Sequence, residues 1–203
     1  MHISEGVLSG PVLITGGALA AAGTAIGLKK LDYDRIAKAG ILSAAFFVAS
    51  LIHVPIGPSN AHLILNGLVG LLLGWAAFPA ILVALVLQAM LFQFGGITAL
   101  GVNTLIMALP AVLCYLAFSP FLQKSAAPAL LATFACGFLS VLLSAIIMGL
   151  ALLFTEENFL EVSAIVIAAH IPVMIIEGII TAICVAFIKK VQPSMLPGFS
   201  NQM

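Results

Sequence analysis

Residues 126–154 read AAPALLATFACGFLSVLLSAIIMGLALLF, and this stretch contains no charged side chain. A helix needs about 20 mostly apolar residues to cross the hydrocarbon core of a bilayer, which is about 30 Å thick. The stretch is therefore long enough to span a membrane. The whole chain of 203 residues is 63% hydrophobic and 7% charged, whereas soluble domains carry roughly 25% charged residues. This composition excludes a soluble enzyme and predicts a single membrane domain covering residues 1–203.

Similar apolar runs lie on both sides of this stretch. Together they cover residues 8–28, 36–54, 61–78, 79–95, 103–122, 126–154 and 162–188. Only Pro79 divides the third run from the fourth, so a count of six spans stays open beside a count of seven. We predict an all-α integral membrane protein with seven transmembrane helices, followed by a tail over residues 189–203.

The basic residues favour seven spans and indicate their orientation. All seven follow the first, the fifth or the last run: Lys29, Lys30, Arg35, Lys38, Lys124, Lys189 and Lys190. With seven spans these positions share one side of the membrane, which the positive-inside rule makes cytoplasmic. With six spans, the last two lysines would lie outside. We therefore expect an extracytoplasmic N-terminus and a cytoplasmic C-terminus. The net charge of zero excludes a basic face for nucleic acid.

The first residues, MHISEG at positions 1–6, are a candidate metal chelate. The Met1 amine, the His2 amide nitrogen and the His2 imidazole can bind one ion and leave a fourth position of a nitrogen plane open. Such a plane suits Ni(II) and Cu(II), and Co(II) less strictly. We expect Met1 to be retained, because a bulky second residue hinders its removal. An ordinary start Met followed by an arbitrary polar residue stays open as the alternative.

Two further histidines are predicted on the same outer side. His53 ends the second run, His62 begins the third, and the loop between them contains two Pro and one Gly. His62 is our candidate for the fourth ligand. Asn66 lies four residues further on, so in a helix it would share a face with His62 and could hydrogen-bond its ring. His53 is a weaker candidate, either behind the ligands or on the route of the ion. An ordinary interfacial role stays open for each histidine.

A glycine-rich outer loop is a candidate lid or floor for the same site. Residues 94–104 read FGGITALGVNT, with three glycines that permit close approach of the backbone. Non-helical backbone near a membrane should line a cavity or pack within the protein. Asn103 in this loop and Glu5 in the first six residues are therefore candidates to line the cavity. A simple tight connection explains the loop equally well.

Two polar residues in the last run are predicted to form an intramembrane clamp. His170 and Glu177 are seven residues apart, hence on one helix face, and Pro172 weakens the backbone between them. A carboxyl group inside a membrane is costly and is usually paired or functional. A polar clamp between helices is favoured, and a proton relay stays open. Small residues at Ala45 and Ala49 permit close helix approach, either within the bundle or against another subunit.

Four groups of motifs follow each other along the chain. They are MHISEG at 1–6, PIG at 55–57 with HL at 62–63, GGITALGVN at 95–103, and HIP at 170–172 with EG at 177–178. In this combination and order the chain strongly resembles the CbiM/NikM family, the substrate-binding subunits of energy-coupling-factor transporters for cobalt and nickel. The resemblance covers nearly the whole chain.

The resemblance implies a seven-helix subunit of a prokaryotic inner membrane, whose residues 1–9 plug into the outer side of the bundle. It implies a Co2+ or Ni2+ ion as cargo, with no separate cofactor, held by the Met1 amine, the His2 amide and imidazole, and the His62 imidazole. The implied partners are a transmembrane coupling subunit, two cytoplasmic ATPases and often a small accessory membrane protein. Ala45 and Ala49 are candidates for packing against the coupling subunit.

The chain itself is predicted not to be an enzyme. It contains no GxxxxGK[ST] motif, so ATP hydrolysis would take place in partner subunits. Two other functions stay open: a proton-coupled transporter that uses His170 and Glu177, and a scaffolding subunit whose polar residues serve packing only. The preference between cobalt and nickel also stays open at this point.

Overall fold

The computed structural model describes residues 2–56, 59–156 and 159–199, with side chains for all of these except 53–56, 59–61 and 160. The described residues form eight α-helices and one two-stranded hairpin. The helices are α1 Gly10–Lys29, α2 Ile36–Ala49, α3 Asn66–Leu73, α4 Ala77–Phe92, α5 Leu100–Phe118, α6 Ala126–Leu153, α7 Leu160–Ala169 and α8 Ile171–Val191. The strands are β1 His53–Ile56 and β2 Ser59–His62.

Five helical stretches among the described residues are long and apolar enough to cross a membrane. They are Gly10–Lys29, Asn66–Phe92, Leu100–Gln123, Ala126–Leu153 and Glu161–Val191. The prediction of a helical, multi-pass membrane protein is therefore confirmed. The count of seven spans and the orientation of the ends stay predictions, because they depend on how the shorter helices are counted.

The third and fourth predicted runs are divided at Gly74 and not at Pro79. Gly74 has φ +59° and begins a 3-10 turn that ends at Ala76. A side chain at Gly74 would also lie 3.1 Å from the Tyr115 ring. Pro79 is instead the third residue of α4, where its missing N–H would have had no partner within the helix. The turn reverses the chain, since His62 before α3 and Gln88 near the end of α4 both contact His2.

The second predicted run, residues 36–54, is helical only as far as Ala49. Beyond it the chain forms the antiparallel hairpin β1–β2, in which His53 lies opposite His62. The Pro and Gly residues between the two histidines disfavour a helix and favour such a reversal. The hairpin returns the chain to the bundle immediately before α3.

The short helix α3 is the centre of the bundle, because all eight of its residues are buried. It packs between α5 and α6, and glycines permit this close approach. A side chain at Gly67 would overlap the backbone of Gly137 in α6, and one at Gly70 would overlap the backbone of Ala111 in α5. A fully buried helix of this length is held by its neighbours and not by lipid.

Hydrogen bonds distinguish two ends of the bundle. At one end, Lys189 donates to the carbonyl oxygens of Leu122 and Lys124 at 2.8 and 3.2 Å, and Lys38 donates to that of Met195 at 2.6 Å. The tail therefore folds back onto α2 at this end, and we call it the basic end. At the opposite end, the Ser9 amide donates to the Thr155 hydroxyl at 3.2 Å.

Candidate metal centre

The N-terminal segment, residues 2–9, is fixed to the bundle by a reciprocal pair of hydrogen bonds. The Ile3 amide donates to Asn103 Oδ1 at 2.9 Å, and Asn103 Nδ2 donates to the Ile3 carbonyl at 3.0 Å. Asn103 lies in the first turn of α5, and both residues are buried. Its side-chain amide thus satisfies both backbone groups of Ile3, as a neighbouring strand would. Asn103 was predicted to line the cavity, and in the structure it holds the neighbour of His2.

Glu5 attaches the same segment to the glycine-rich loop. The Thr98 amide donates to Glu5 Oε1 at 3.0 Å. Hydrogen bonds from the backbone at Thr98 and Ile97 hold the pKa of the Glu5 carboxyl below its ordinary value. Gly96 has φ +98°, and any side chain there would overlap the Glu5 carboxylate. The loop therefore packs directly on the N-terminal segment.

Gln88 determines which nitrogen of His2 carries the hydrogen. His2 Nε2 lies 2.7 Å from Gln88 Oε1; with the amide in this orientation the ring donates through Nε2 and keeps a lone pair on Nδ1, while Gln88 Nε2 has no partner among the described residues. The Gln88 side chain is 0% exposed and lies in α4. Burial lowers the pKa of the His2 imidazole to about 3, so the ring is neutral near pH 7.

His62 is held in the complementary form. Its Nδ1 donates to the Leu63 carbonyl oxygen at 2.9 Å, which leaves the lone pair on Nε2. That atom lies 3.2 Å from His2 Nδ1. The two rings have their centroids 4.9 Å apart and are tilted by 34°. The structure therefore brings together two side chains that are 60 residues apart in the sequence.

In these two forms the nitrogen lone pairs face each other, and either a metal ion or a proton between them would relieve the repulsion. With metal–nitrogen bonds of about 2.0–2.1 Å, neighbouring ligand atoms lie about 2.9 Å apart in a square plane and about 3.3 Å apart in a tetrahedron. The observed 3.2 Å falls in this range. Among the described residues, no group of three or more His, Cys, Asp or Glu side chains could hold a metal. The predicted ligand Met1 lies outside the described residues, as does the side chain of His53.

Asn66 does not hydrogen-bond the His62 ring. Its side-chain nitrogen donates to the Met107 carbonyl at 3.2 Å and to the Ser144 hydroxyl at 2.9 Å. The spacing of four residues implied a shared face only if residues 62–66 were helical, whereas α3 begins at Asn66 and Leu65 has φ +58°. Asn66 therefore joins α3 to α5 and α6 through buried hydrogen bonds. His53 pairs with His62 through the backbone, and its side chain lies outside the described part of the structure.

His170 and Glu177 are not hydrogen-bonded to each other, and of the two only Glu177 bonds another element as the predicted clamp between helices would. His170 Nδ1 donates to the Val166 carbonyl at 2.7 Å, at the break between α7 and α8. Glu177 is 0% exposed. It accepts hydrogen bonds from the amides of Ile64 and Leu65, the latter at 2.9 and 3.0 Å to its two oxygens. Glu177 therefore connects α8 to the segment that follows His62.

The two small residues of α2 lie on different faces of the helix. Ala45 is exposed, whereas Ala49 is buried in the bundle with 4% exposure. Of the pair, only Ala45 is available to another subunit in this structure. Sequence reasoning did not select Gln88 as a site residue, although an amide within the apolar run of α4 is a signal that could have identified it.

The chain is similar to known metal transport proteins over nearly its whole length. The family described as the cobalt uptake substrate-specific transmembrane region (CbiM) matches residues 2–195. A protein of Haemophilus influenzae, provisionally named a metal transport protein, is 41% identical over 204 residues, which is 99% of each chain. The cobalt transport protein CbiM of Kyrpidia tusciae is 33% identical over 220 residues, covering 99% of this chain and 88% of that protein.

Two solved structures share the fold. A crystal structure of a transition metal transporter has a TM-score of 0.80 and 30% sequence identity, covering 94% of this chain and 93% of that one. A truncated transition metal transporter also has a TM-score of 0.80, with 28% identity, and covers 94% of this chain and 99% of its own. The chain therefore belongs to the CbiM family of membrane components for cobalt and nickel uptake.

Proposed function

We propose that this chain is the substrate-capture subunit of an ATP-driven energy-coupling-factor importer for Co2+ or Ni2+. The observation that carries the proposal is the pair of facing nitrogens, His2 Nδ1 and His62 Nε2, 3.2 Å apart. Each ring donates its only N–H elsewhere, to Gln88 or to the Leu63 carbonyl. A divalent ion is the ligand that two such lone pairs would bind together.

The proposed ligands are four nitrogens: the Met1 amine, the His2 amide, His2 Nδ1 and His62 Nε2. The bonds of Ile3 to Asn103 support this set, because they fix the backbone directly after His2. The ring and amide of one residue, together with the preceding amine, form a chelate in one plane. His62 would then supply the remaining corner, next to His2 Nδ1.

We further propose that the chain crosses the membrane seven times, in a prokaryotic inner membrane, with the metal centre outside. The seven segments would be α1, α2, α3 together with the non-helical residues 62–65 before it, α4, α5, α6, and α7 with α8. Contacts of Lys38 and Lys189 lie at the end opposite the histidines, and the positive-inside rule makes this basic end cytoplasmic. The ion would therefore be captured outside and released toward the cytoplasm.

The energy for release would come from partners. The sequence contains no nucleotide-binding P-loop, so we propose a transmembrane coupling subunit, two ATPases and a small accessory protein. A relative from Rhodobacter capsulatus is named a fused nickel transport protein NikMN, which is consistent with a system of several components. The proton-coupled alternative has no support from geometry, since His170 and Glu177 make separate hydrogen bonds. A purely scaffolding role would account for the bonds of Asn66 and Glu177 but not for the paired nitrogens of His2 and His62.

Titration calorimetry with Ni2+ and Co2+ on the full chain in detergent tests the ligand set. We expect His2→Ala and His62→Ala each to weaken binding by at least a hundredfold. A single Ala added before Met1 should have the same effect, because it moves the amine out of the chelate. His170→Ala is the matched control and should bind like the unmodified chain. Equal binding by His2→Ala, His62→Ala and the control would overturn the proposed centre. Absorption spectra of the two complexes would report the geometry and the preference between the ions.

A further inference from the structure

A concavity unrelated to the metal centre lies between α6 and α8 at the basic end. Its volume is about 630 Å³, and alanine, threonine, leucine and valine side chains line most of it. Ala126, Ala129 and Thr133 line it from α6, and Ala182 and Ala186 line it from α8. These positions recur every three or four residues, so each helix presents one face to the groove. We call this concavity the α6–α8 groove.

The groove is apolar along its length and basic at its mouth. From Ala126 to Thr133 it runs seven residues along α6, which corresponds to about 10 Å at 1.5 Å per residue. Lys124, Lys189 and Lys190 lie together where α6 begins and α8 ends, and none of the described residues that line the groove is acidic. Leu130 on its rim is 52% exposed, so the groove opens toward the surroundings of the bundle.

One of these lysines is held in place by the protein. Lys189 Nζ donates to the carbonyl oxygens of Leu122 and Lys124, and it lies 5.6 Å from the centroid of the Phe199 ring. An ammonium group has three donors, so a third remains for a ligand. Lys124 and Lys190 are exposed on either side of it. The mouth of the groove therefore presents three positive charges, one of them fixed.

We propose that the α6–α8 groove binds one anionic phospholipid of the cytoplasmic leaflet. An acyl chain would lie against the alanines, and the phosphate would accept hydrogen bonds at the three lysines. Basic pockets between transmembrane helices on the cytoplasmic side are suited to such headgroups. A zwitterionic lipid fits less well, because the described lining offers three lysines and no acidic side chain to balance its ammonium group. The proposal shares only the membrane orientation with the proposed function and involves no metal ligand.

Native mass spectrometry of the full chain in detergent tests this proposal, with phosphatidylglycerol and phosphatidylcholine as probes. We expect one phosphatidylglycerol to be retained in preference to phosphatidylcholine. Each lysine near an anionic lipid contributes about fivefold to affinity, so Lys124→Gln with Lys190→Gln should weaken retention about 25-fold. The control removes the same charge at the same end, with Lys29→Gln and Lys30→Gln, and should retain the lipid.

Ala186→Phe tests the acyl-chain part separately. Ala186 is exposed, so a larger side chain there fills the groove without entering the core, and all three lysines stay. We expect this variant to lose phosphatidylglycerol while its Ni2+ affinity is unchanged. Equal losses in the Lys29/Lys30 control would show that the charge of the whole end attracts lipid, and would overturn the proposal. Displacement of the lipid by millimolar inorganic phosphate, or full retention by Ala186→Phe, would also overturn it.

Discussion

The chemistry of the metal centre depends on where two hydrogen atoms reside. Gln88 accepts from His2 Nε2, and the Leu63 carbonyl accepts from His62 Nδ1. Each partner fixes one tautomer, and only this combination points both lone pairs toward one another. Groups behind metal ligands typically change affinity by about 10–100-fold when they are lost. Gln88 therefore belongs to the proposed centre, because it holds the tautomer of the ligand His2.

Gln88→Leu removes the acceptor for His2 Nε2–H and should weaken Ni2+ binding by about 10–100-fold. Gln88→Glu keeps an acceptor oxygen and should retain binding. In 15N NMR spectra of the ion-free protein, the imidazole nitrogens of His2 should report a mixed tautomer only in Gln88→Leu. A merely structural role for Gln88 would leave this tautomer signal unchanged, and that result would contradict the prediction.

Glu5 gives the N-terminal segment a defined pH dependence. Backbone hydrogen bonds lower the pKa of this carboxyl below 4.5, so the docked segment binds the proton less readily than a free one. The stabilisation is complete above pH 4.5 and is lost as pH falls through the lowered pKa. The amide shift of Thr98 should follow this titration, with a midpoint below 4.5. Glu5→Gln should abolish the transition, and a midpoint at or above 4.5 would contradict the assignment.

Among the elements, α3 is the one whose position controls His62. The helix begins only four residues after this histidine, and the amides just before it, at Ile64 and Leu65, donate to Glu177 in α8. A carboxylate before the N-terminus of a helix satisfies donors that have no partner within the helix. Glu177 thus fixes the start of α3 from α8. This is a structural role for a buried acid, and it does not depend on proton or ion transfer.

Glu177→Leu leaves the amides of Ile64 and Leu65 buried without their acceptor. Each unsatisfied group costs about 1–3 kcal/mol, so we expect a clear loss of thermal stability, measured by unfolding in detergent without metal. Ni2+ affinity should also fall, because His62 loses its fixed support. Glu161→Gln is the control, since Glu161 is an exposed acid in α7. Unchanged melting of Glu177→Leu would show that the bonds to α8 do not hold α3.

At the scale of the whole molecule, the two ends of the bundle differ in chemistry. Lysines bind backbone carbonyls at the basic end, while the N-terminal segment, Gln88 and His62 gather at the other. The asymmetry gives the molecule a direction across the bilayer. It also keeps the proposed metal centre away from the ammonium groups, whose charge would repel a divalent ion.

This direction can be measured in intact cells. In a variant without its three cysteines, Glu156→Cys and Lys124→Cys each introduce one exposed thiol, at opposite ends. A membrane-impermeant thiol reagent should label position 156 and not position 124 until the cells are opened. Labelling of position 124 alone would reverse the proposed orientation, and labelling of both would contradict the count of seven spans.

Much of this arrangement could be predicted from the sequence because it depends on composition and on local pattern. The apolar runs and the separation of the basic residues could be read directly from the sequence. The pairing of His2 with His62 was predicted from their expected side of the membrane and from the resemblance. The partners of Asn66 and Glu177 could not be predicted. The partners of Asn66 depend on where α3 begins, and this is set by Leu65, whose backbone is in the left-handed region. Glu177 binds backbone amides, and these have no signature in the sequence.

The two histidines of the centre are held through different contacts, although α3 and α5 also pack directly on each other. His2 is fastened through Asn103 and Gln88 to α5 and α4, whereas His62 is attached through its hairpin and Glu177 to α3 and α8. An ion bound by both histidines would connect these two sets of contacts. The coupling is reciprocal. Ion binding favours the arrangement in which His2 and His62 are close, and a change that separates the two rings lowers the affinity for the ion by the same free energy. A partner protein that moves His62 away from His2 would therefore weaken ion binding without contacting the ion.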